Sequence, residues 1–119
     1  MKTYTTLQTR GIEAAKKFLN LKGFEILDEN PAQKAIDLVA KTADTICIVT
    51  VATRDAAETG FPEEAPARRS LEIAAAEWLA AHENEIPEDV RVRFDSIALM
   101  ILSGSKAFIR LHTNILGTD

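Results

Sequence analysis

Cysteine is almost absent from this chain of 119 residues: Cys47 stands alone, so no intramolecular disulfide can form. A single thiol fits a reducing compartment. Long apolar runs are missing too. The longest, Ile97–Leu102, spans six residues, against the roughly 20 that a membrane-spanning helix needs. The opening MKTYTTLQTR lacks the apolar stretch of a secretory leader. These absences point to a cytoplasmic protein with no membrane partner. A basic excess is lacking as well. The net charge is −4, whereas a protein that leans on phosphate contacts usually carries surplus Lys and Arg on some face. Residues 1–60 balance at eight basic and eight acidic side chains, and residues 61–119 hold six against ten. Any phosphate-binding face must therefore be local. The richest candidate is the first helix with Arg10, Lys16, Lys17 and Lys22, for which a solvated surface is the ordinary reading.

What is present reads as one domain over 1–119, with 46% apolar and 27% charged residues, enough for a real core without staples. Residues 9–22 read as a helix capped by Thr9, with an apolar stripe through Ile12, Ala15 and Leu19, flanked by Ala14, Phe18 and Leu21. Gly23 is its expected stop. Phe24–Leu27 reads as a short strand, and Asp28–Lys34 as a turn around Pro31. Ala35–Ala40 alternates, setting Ile36, Leu38 and Ala40 against Ala35, Asp37 and Val39. Lys41–Asp44 turns the chain into Thr45–Thr53, whose two faces are both largely apolar, as in a central strand covered on two sides. Arg54–Pro66 reads as a long loop. Residues 68–82 form the strongest helix pattern, through Leu71, Ala74, Ala75, Trp78, Leu79 and His82, and that stripe makes Trp78 a core anchor. Val90–Leu102 and Lys106–Leu111 read as a hairpin around Ser103–Ser105, with a closing helical turn at Asn114–Leu116. The order is α-β-β-β-α-β-β: an α/β protein with a mixed sheet and helices packed on it.

With those elements placed, five segments resemble the YraN-like family of predicted endonucleases. They are GIEAAKKFLNLKGFEIL at Gly11–Leu27, IDLVA at Ile36–Ala40, VTVATR at Val49–Arg54, RFD at Arg93–Asp95 and HTNIL at His112–Leu116. The resemblance implies a restriction-endonuclease-like fold, close to that of Holliday-junction resolvases. It also implies a centre in which an Asp and a Glu hold a divalent metal and a Lys assists the attacking water. Asp37 matches the metal-binding Asp. Thr50 stands where the family has Glu, and Ala52 where it has Lys. Ala35 replaces the acid before Ile36. Ile12 takes the place of the helix Glu, for which Glu13 is a shifted substitute.

The expectation is a catalytically degenerate nuclease-fold protein that retains an association role with DNA, RNA or protein. Under it no cofactor is needed, and magnesium or manganese enters only with residual activity. The candidate nucleic-acid contacts are Arg10, Lys16, Lys17 and Arg54. One alternative is an active metal-dependent endonuclease with a relocated site built from Asp37, Glu13 and Asp55 or Glu58. Another is a structural protein-interaction module that binds no nucleic acid; homodimerisation through a sheet edge, or pairing with another protein, is open to the chain as well. Asp37 also has an ordinary role open to it, pairing with Arg54 or a helix lysine. Asp95 reads as a structural partner for Arg93 or a backbone amide. His82 and His112 lack zinc-like spacing, and Cys47 reads as a buried, inert thiol.

Overall fold

A computed structural model describes residues 3–55, 67–102 and 106–116. Helix α1 runs Thr6–Leu21. It starts earlier than its apolar rhythm suggests, because Thr5 rather than Thr9 is the cap. The Thr5 hydroxyl accepts from the Gln8 amide at 3.1 Å, and the Gln8 side chain accepts from the Thr5 amide at 2.8 Å. This reciprocal box satisfies two otherwise unpaired helix donors. The helix ends as expected at Gly23, whose φ of 92° suits a residue without a Cβ. The Gly23 and Phe24 amides return to the Asn20 and Leu19 carbonyls at 3.1 and 2.9 Å, closing a Schellman motif. Leu21 falls outside the apolar stripe and is 89% exposed.

Strands β1 (Glu25–Glu29), β2 (Leu38–Thr42), β3 (Thr45–Asp55), β4 (Arg91–Ile101) and β5 (Ala107–His112) form one sheet in the order β1-β2-β3-β4-β5. Only β3 and β4 run parallel. Helix α2 (Arg68–Ala81) lies between those two strands in the chain, as a parallel pair requires. The α/β order α-β-β-β-α-β-β is as the sequence implies, and β3 sits at the centre of the sheet. On one face Ile12, Ala15 and Leu19 of α1 pack on Leu38, Ala40, Cys47, Val49, Ile97 and Leu99. On the other, Ala74, Ala75 and Trp78 of α2 pack on Ile36, Val39, Ile46 and Ile48. Trp78 is the core anchor, and its indole N–H donates to Asp28 Oδ2 at 2.8 Å. His82 stacks on the same ring with centroids 4.0 Å apart.

Other expectations also need correction. Asp28 and Glu29 belong to β1 and not to the turn around Pro31. Residues 35–37 precede β2 instead of opening it. A bend held by the Ile36 amide on the Gln33 carbonyl puts Ile36 on the α2 side, although Leu38 faces α1. Arg54 and Asp55 continue β3, paired with Met100 and Ile101, so the loop does not begin at Arg54; its remainder, 56–66, and the turn at 103–105 lie outside the described residues. Asn114–Leu116 is a turn and not a helical one: Asn114 has φ of 55°, and the Ile115 amide bonds the Phe94 carbonyl at 2.7 Å. Among the described residues no helix is long and apolar enough to cross a membrane.

Candidate functional site

Asp37 is set one residue ahead of β2. The β2–β3 register ends at Leu38↔Val49, so the next step places Asp37 across from Thr50. Its amide donates to the Val49 carbonyl at 3.0 Å, and its own carbonyl accepts from Asn30 at 3.3 Å. Both oxygens of the carboxylate hold a donor. Oδ2 accepts from the Val51 amide at 2.7 Å, and Oδ1 from the Tyr4 hydroxyl at 2.9 Å. Bonds to an ionised acceptor are the stronger kind. Asp37 thus fastens the lead-in of α1, through Tyr4, to the backbone of the central strand. The pairing weighed from the sequence, with Arg54 or a helix lysine, is replaced by these two donors.

Burial, and then the neighbouring Asp37 charge and hydrogen bond, raise the Tyr4 pKa above its ordinary 10.0. A group with a raised folded-state pKa stabilises the fold below its unfolded value and loses that contribution as pH climbs past it. The wild type is therefore expected to lose stability above pH 10 more steeply than Tyr4→Phe. Denaturant melts of the two proteins between pH 8 and pH 11 check this.

Thr50 and Ala52 lie on β3 and are half-buried. Alternation along the strand directs them to the face that carries Ile46, Ile48 and α2, while Val49 and Val51 face α1. Their neighbours across β4 are Ser96 and Ala98, followed on β5 by His112 and Arg110. Glu13 stands elsewhere, on the outer side of α1. Lys16 bridges it at 3.2 Å to Glu29 of β1 at 2.8 Å, and the bond to Glu29 leads the effects that raise the Lys16 pKa. Among the described residues Glu13 and Asp37 consequently share no partner. Arg10 and Lys17 are exposed on α1, Arg54 is half-buried within β3, and Asp55 is exposed at its end. Glu58 lies outside the described residues.

These residues do not fit a magnesium or manganese ion of the kind the family resemblance implies. Such an ion is usually held through one or two carboxylates with oxygens free for it, completed by waters and substrate phosphates. Asp37 offers one carboxylate already holding two donors, Thr50 a neutral hydroxyl, and Ala52 nothing. Among the described residues no three Asp, Glu, His or Cys side chains converge on a common point.

A second polar cluster lies on the α1 side of the sheet. Asp95 is only 1% exposed. Arg93 grips it with two bonds, Nε to Oδ1 at 2.9 Å and an Nη to Oδ2 at 2.8 Å. The Asn114 amide adds a third at 2.9 Å. Asp95 therefore serves both partners that the sequence offered it. The same guanidinium lies 3.5 Å from Cys47 Sγ. Burial, reinforced by the Asp95 charge, pushes the Cys47 thiol up to about 12. Because the thiolate is the reactive form, Cys47 is expected to resist a thiol reagent at pH 8 in the folded protein and to react at once in denaturant. Rapid labelling of the native protein would contradict this burial.

Tyr4 is the residue that sequence reasoning missed. It lies 33 positions from Asp37, and the only local signal was the T-T-L-Q capping box that starts the helix beside it.

With this geometry in view, comparison with known proteins identifies the relatives. The profile of the uncharacterised protein family UPF0102 matches residues 12–99. A UPF0102 protein of Desulforapulum autotrophicum is 37% identical over 112 residues, covering 90% of this chain and 89% of its own. One from Geobacter sulfurreducens is 34% identical over 113 residues, covering 91% and 86%. Another, from an Anaeromyxobacter species, is 36% identical over 100 residues, covering 77% and 73%. The chain belongs to the uncharacterised protein family UPF0102, the YraN-like family that its motifs resemble.

Proposed function

We propose that this protein is a catalytically degenerate member of a nuclease-fold family that serves by association and not by cleavage. The observation that carries the reading is the state of Asp37. The residue matching the metal-binding acid is spent on the Tyr4 hydroxyl and the Val51 amide, and the Glu and Lys positions hold Thr50 and Ala52. A phosphodiester centre without its second carboxylate and its cation loses the charge stabilisation that dominates such catalysis. The test is cleavage of a branched DNA with manganese, comparing wild type with Thr50→Glu/Ala52→Lys in a Tyr4→Phe background. Wild type is expected to be silent. Cutting by wild type that vanishes in Asp37→Ala would overturn the reading in favour of the relocated site.

For the partner, one observation weighs toward protein over nucleic acid. Lys16, among the cations suggested for phosphate contact, is held between Glu13 and Glu29, which cancels its charge locally. A gel shift with branched and single-stranded DNA at rising salt separates the two, because phosphate contacts must weaken as salt rises. No shift at low salt is the expected result. A salt-sensitive shift lost on replacing Arg10 and Lys17 would assign nucleic acid as the partner.

A further inference from the structure

The two edges of the sheet differ in kind. Strand β1 is a poor template for another strand: it carries three acids, Glu25, Asp28 and Glu29, and its register is broken between Ile26 and Asp28. Charge and irregularity of this sort protect an edge from pairing. Strand β5 is less defended: Arg110 is its one Lys, Arg, Asp or Glu, and its register is regular. Its six residues, Ala107–His112, pair with β4 in unbroken register and contain no Pro or Gly. Among the described residues no strand covers its outer side.

The hydrogen-bonding parity of β5 follows from the hairpin. The Leu102 amide donates to the Lys106 carbonyl at 2.8 Å, and the same register continues through Met100↔Phe108 and Ala98↔Arg110. In an antiparallel ladder bonded and non-bonded pairs alternate. Phe108, Arg110 and His112 therefore turn their amides toward β4, while Ala107, Ile109 and Leu111 turn theirs outward. The side chains alternate as well. Ala107, Ile109 and Leu111 pack on the α1-side core, and Phe108, Arg110 and His112 are exposed on the opposite face.

We infer that β5 is a self-association edge, pairing antiparallel with β5 of a second copy of this chain about a two-fold axis at Ile109. In that register Ile109 meets Ile109 and Ala107 meets Leu111, so every outward amide and carbonyl of the strand finds a partner. The intervening pairs set Phe108 of each copy against Arg110 of the other, in the closer, non-bonded positions. Phe108 is 54% exposed, and a guanidinium against its ring face is attractive. The neighbouring registers are worse. A shift one way opposes Arg110 to Arg110; the other way opposes Lys106 to Arg110. A head-to-tail β1–β5 contact would not close at two copies, and the broken, acidic β1 edge opposes it. The pairing does not use Asp37, Thr50 or Ala52 themselves, so it stands or falls apart from the fate of the nuclease centre.

Sedimentation velocity over a concentration series is expected to show a reversible species of twice the 13.1 kDa chain mass. Phe108→Lys places like charges opposite each other twice and is expected to weaken it about tenfold or more, with an unchanged circular dichroism spectrum. Register is read by cross-linking. A mixture of Phe108→Cys and Arg110→Cys chains is expected to form the mixed disulfide, and neither variant alone to do so. A monomer at every concentration, a ladder of ever larger species, or preferential cross-linking of either variant with itself would each overturn the proposal.

Discussion

Asp95→Ala is expected to remove about 3–4 kcal/mol of stability, the cost of stranding one partner of a buried ion pair. Three donors lose their acceptor at once: both arms of the Arg93 guanidinium and the Asn114 amide. The Arg93 side chain remains 29% exposed, which lets water recover part of its solvation and keeps the loss from the top of that range. Asp95→Asn keeps the shape and removes the charge, so it is expected to fall between wild type and alanine. A paired replacement, Arg93→Met with Asp95→Leu, should cost far less than Asp95→Ala, because no charge is left unmatched. Urea denaturation with a shifted midpoint and a constant slope reads all three. A loss under about 1 kcal/mol for Asp95→Ala would mean that water reaches the site freely.

Gly11→Ala is expected to destabilise the protein by about 2–3 kcal/mol, against the direction of helix propensity. Glycine inside a helix is about 1 kcal/mol worse than alanine, so an unconstrained position would gain from the change. Here a Cβ would run into Thr53 Oγ1 and lie 2.9 Å from both its Cβ and its Cγ2. No rotation of Thr53 relieves all three contacts, and its backbone is fixed in the central strand. The helix must back away from the sheet, loosening Ile12 and Ala15, and overpacking of this kind costs about 1–3 kcal/mol. Thr53→Ala removes two of the three obstacles. The double variant Gly11→Ala/Thr53→Ala should therefore recover at least half of the loss. A more stable Gly11→Ala single variant would show that α1 does not approach β3 this closely.

Legibility in the sequence followed how local each cause was. Gly23 was readable because a left-handed C′ position is a property of one residue and its near neighbours. Trp78 was readable from the spacing of α2, and the two apolar faces of Thr45–Thr53 marked the central strand. The helix start was missed because the apolar rhythm begins later than the capping box at Thr5 and Gln8, and the box has the stronger say. Alternation failed at Ile36 since the bend at residues 33–36 resets the faces before β2 begins. Arg54 and Asp55 carry no local strand signal, because nothing in their own chemistry reveals the parallel partner β4 that extends β3 past Thr53.

The candidate site divides along the same line. The positions of Thr50 and Ala52 on one face of β3 follow from period-two geometry, and family resemblance assigned their meaning. The partners of Asp37 did not follow, because Tyr4 comes from the far end of the chain and Val51 contributes only a backbone amide. Nor could spacing alone reveal that Lys16, on the same helix as Glu13, would reach across to Glu29 on β1. Contacts between elements depend on how the elements dock, and docking is set by the two apolar faces as a whole.

The central claim is that Asp37 is a strut between the α1 lead-in and β3, and not a metal ligand. Manganese binding measured by the electron paramagnetic resonance signal of the free ion tests it most directly, with wild type, Asp37→Asn and Thr50→Glu/Ala52→Lys titrated side by side at low ionic strength. Wild type and Asp37→Asn are expected to leave the free-ion signal equally unchanged, while Asp37→Asn unfolds at lower urea. Capture of one manganese per chain by wild type, lost in Asp37→Asn, would contradict the claim and return Asp37 to the metal.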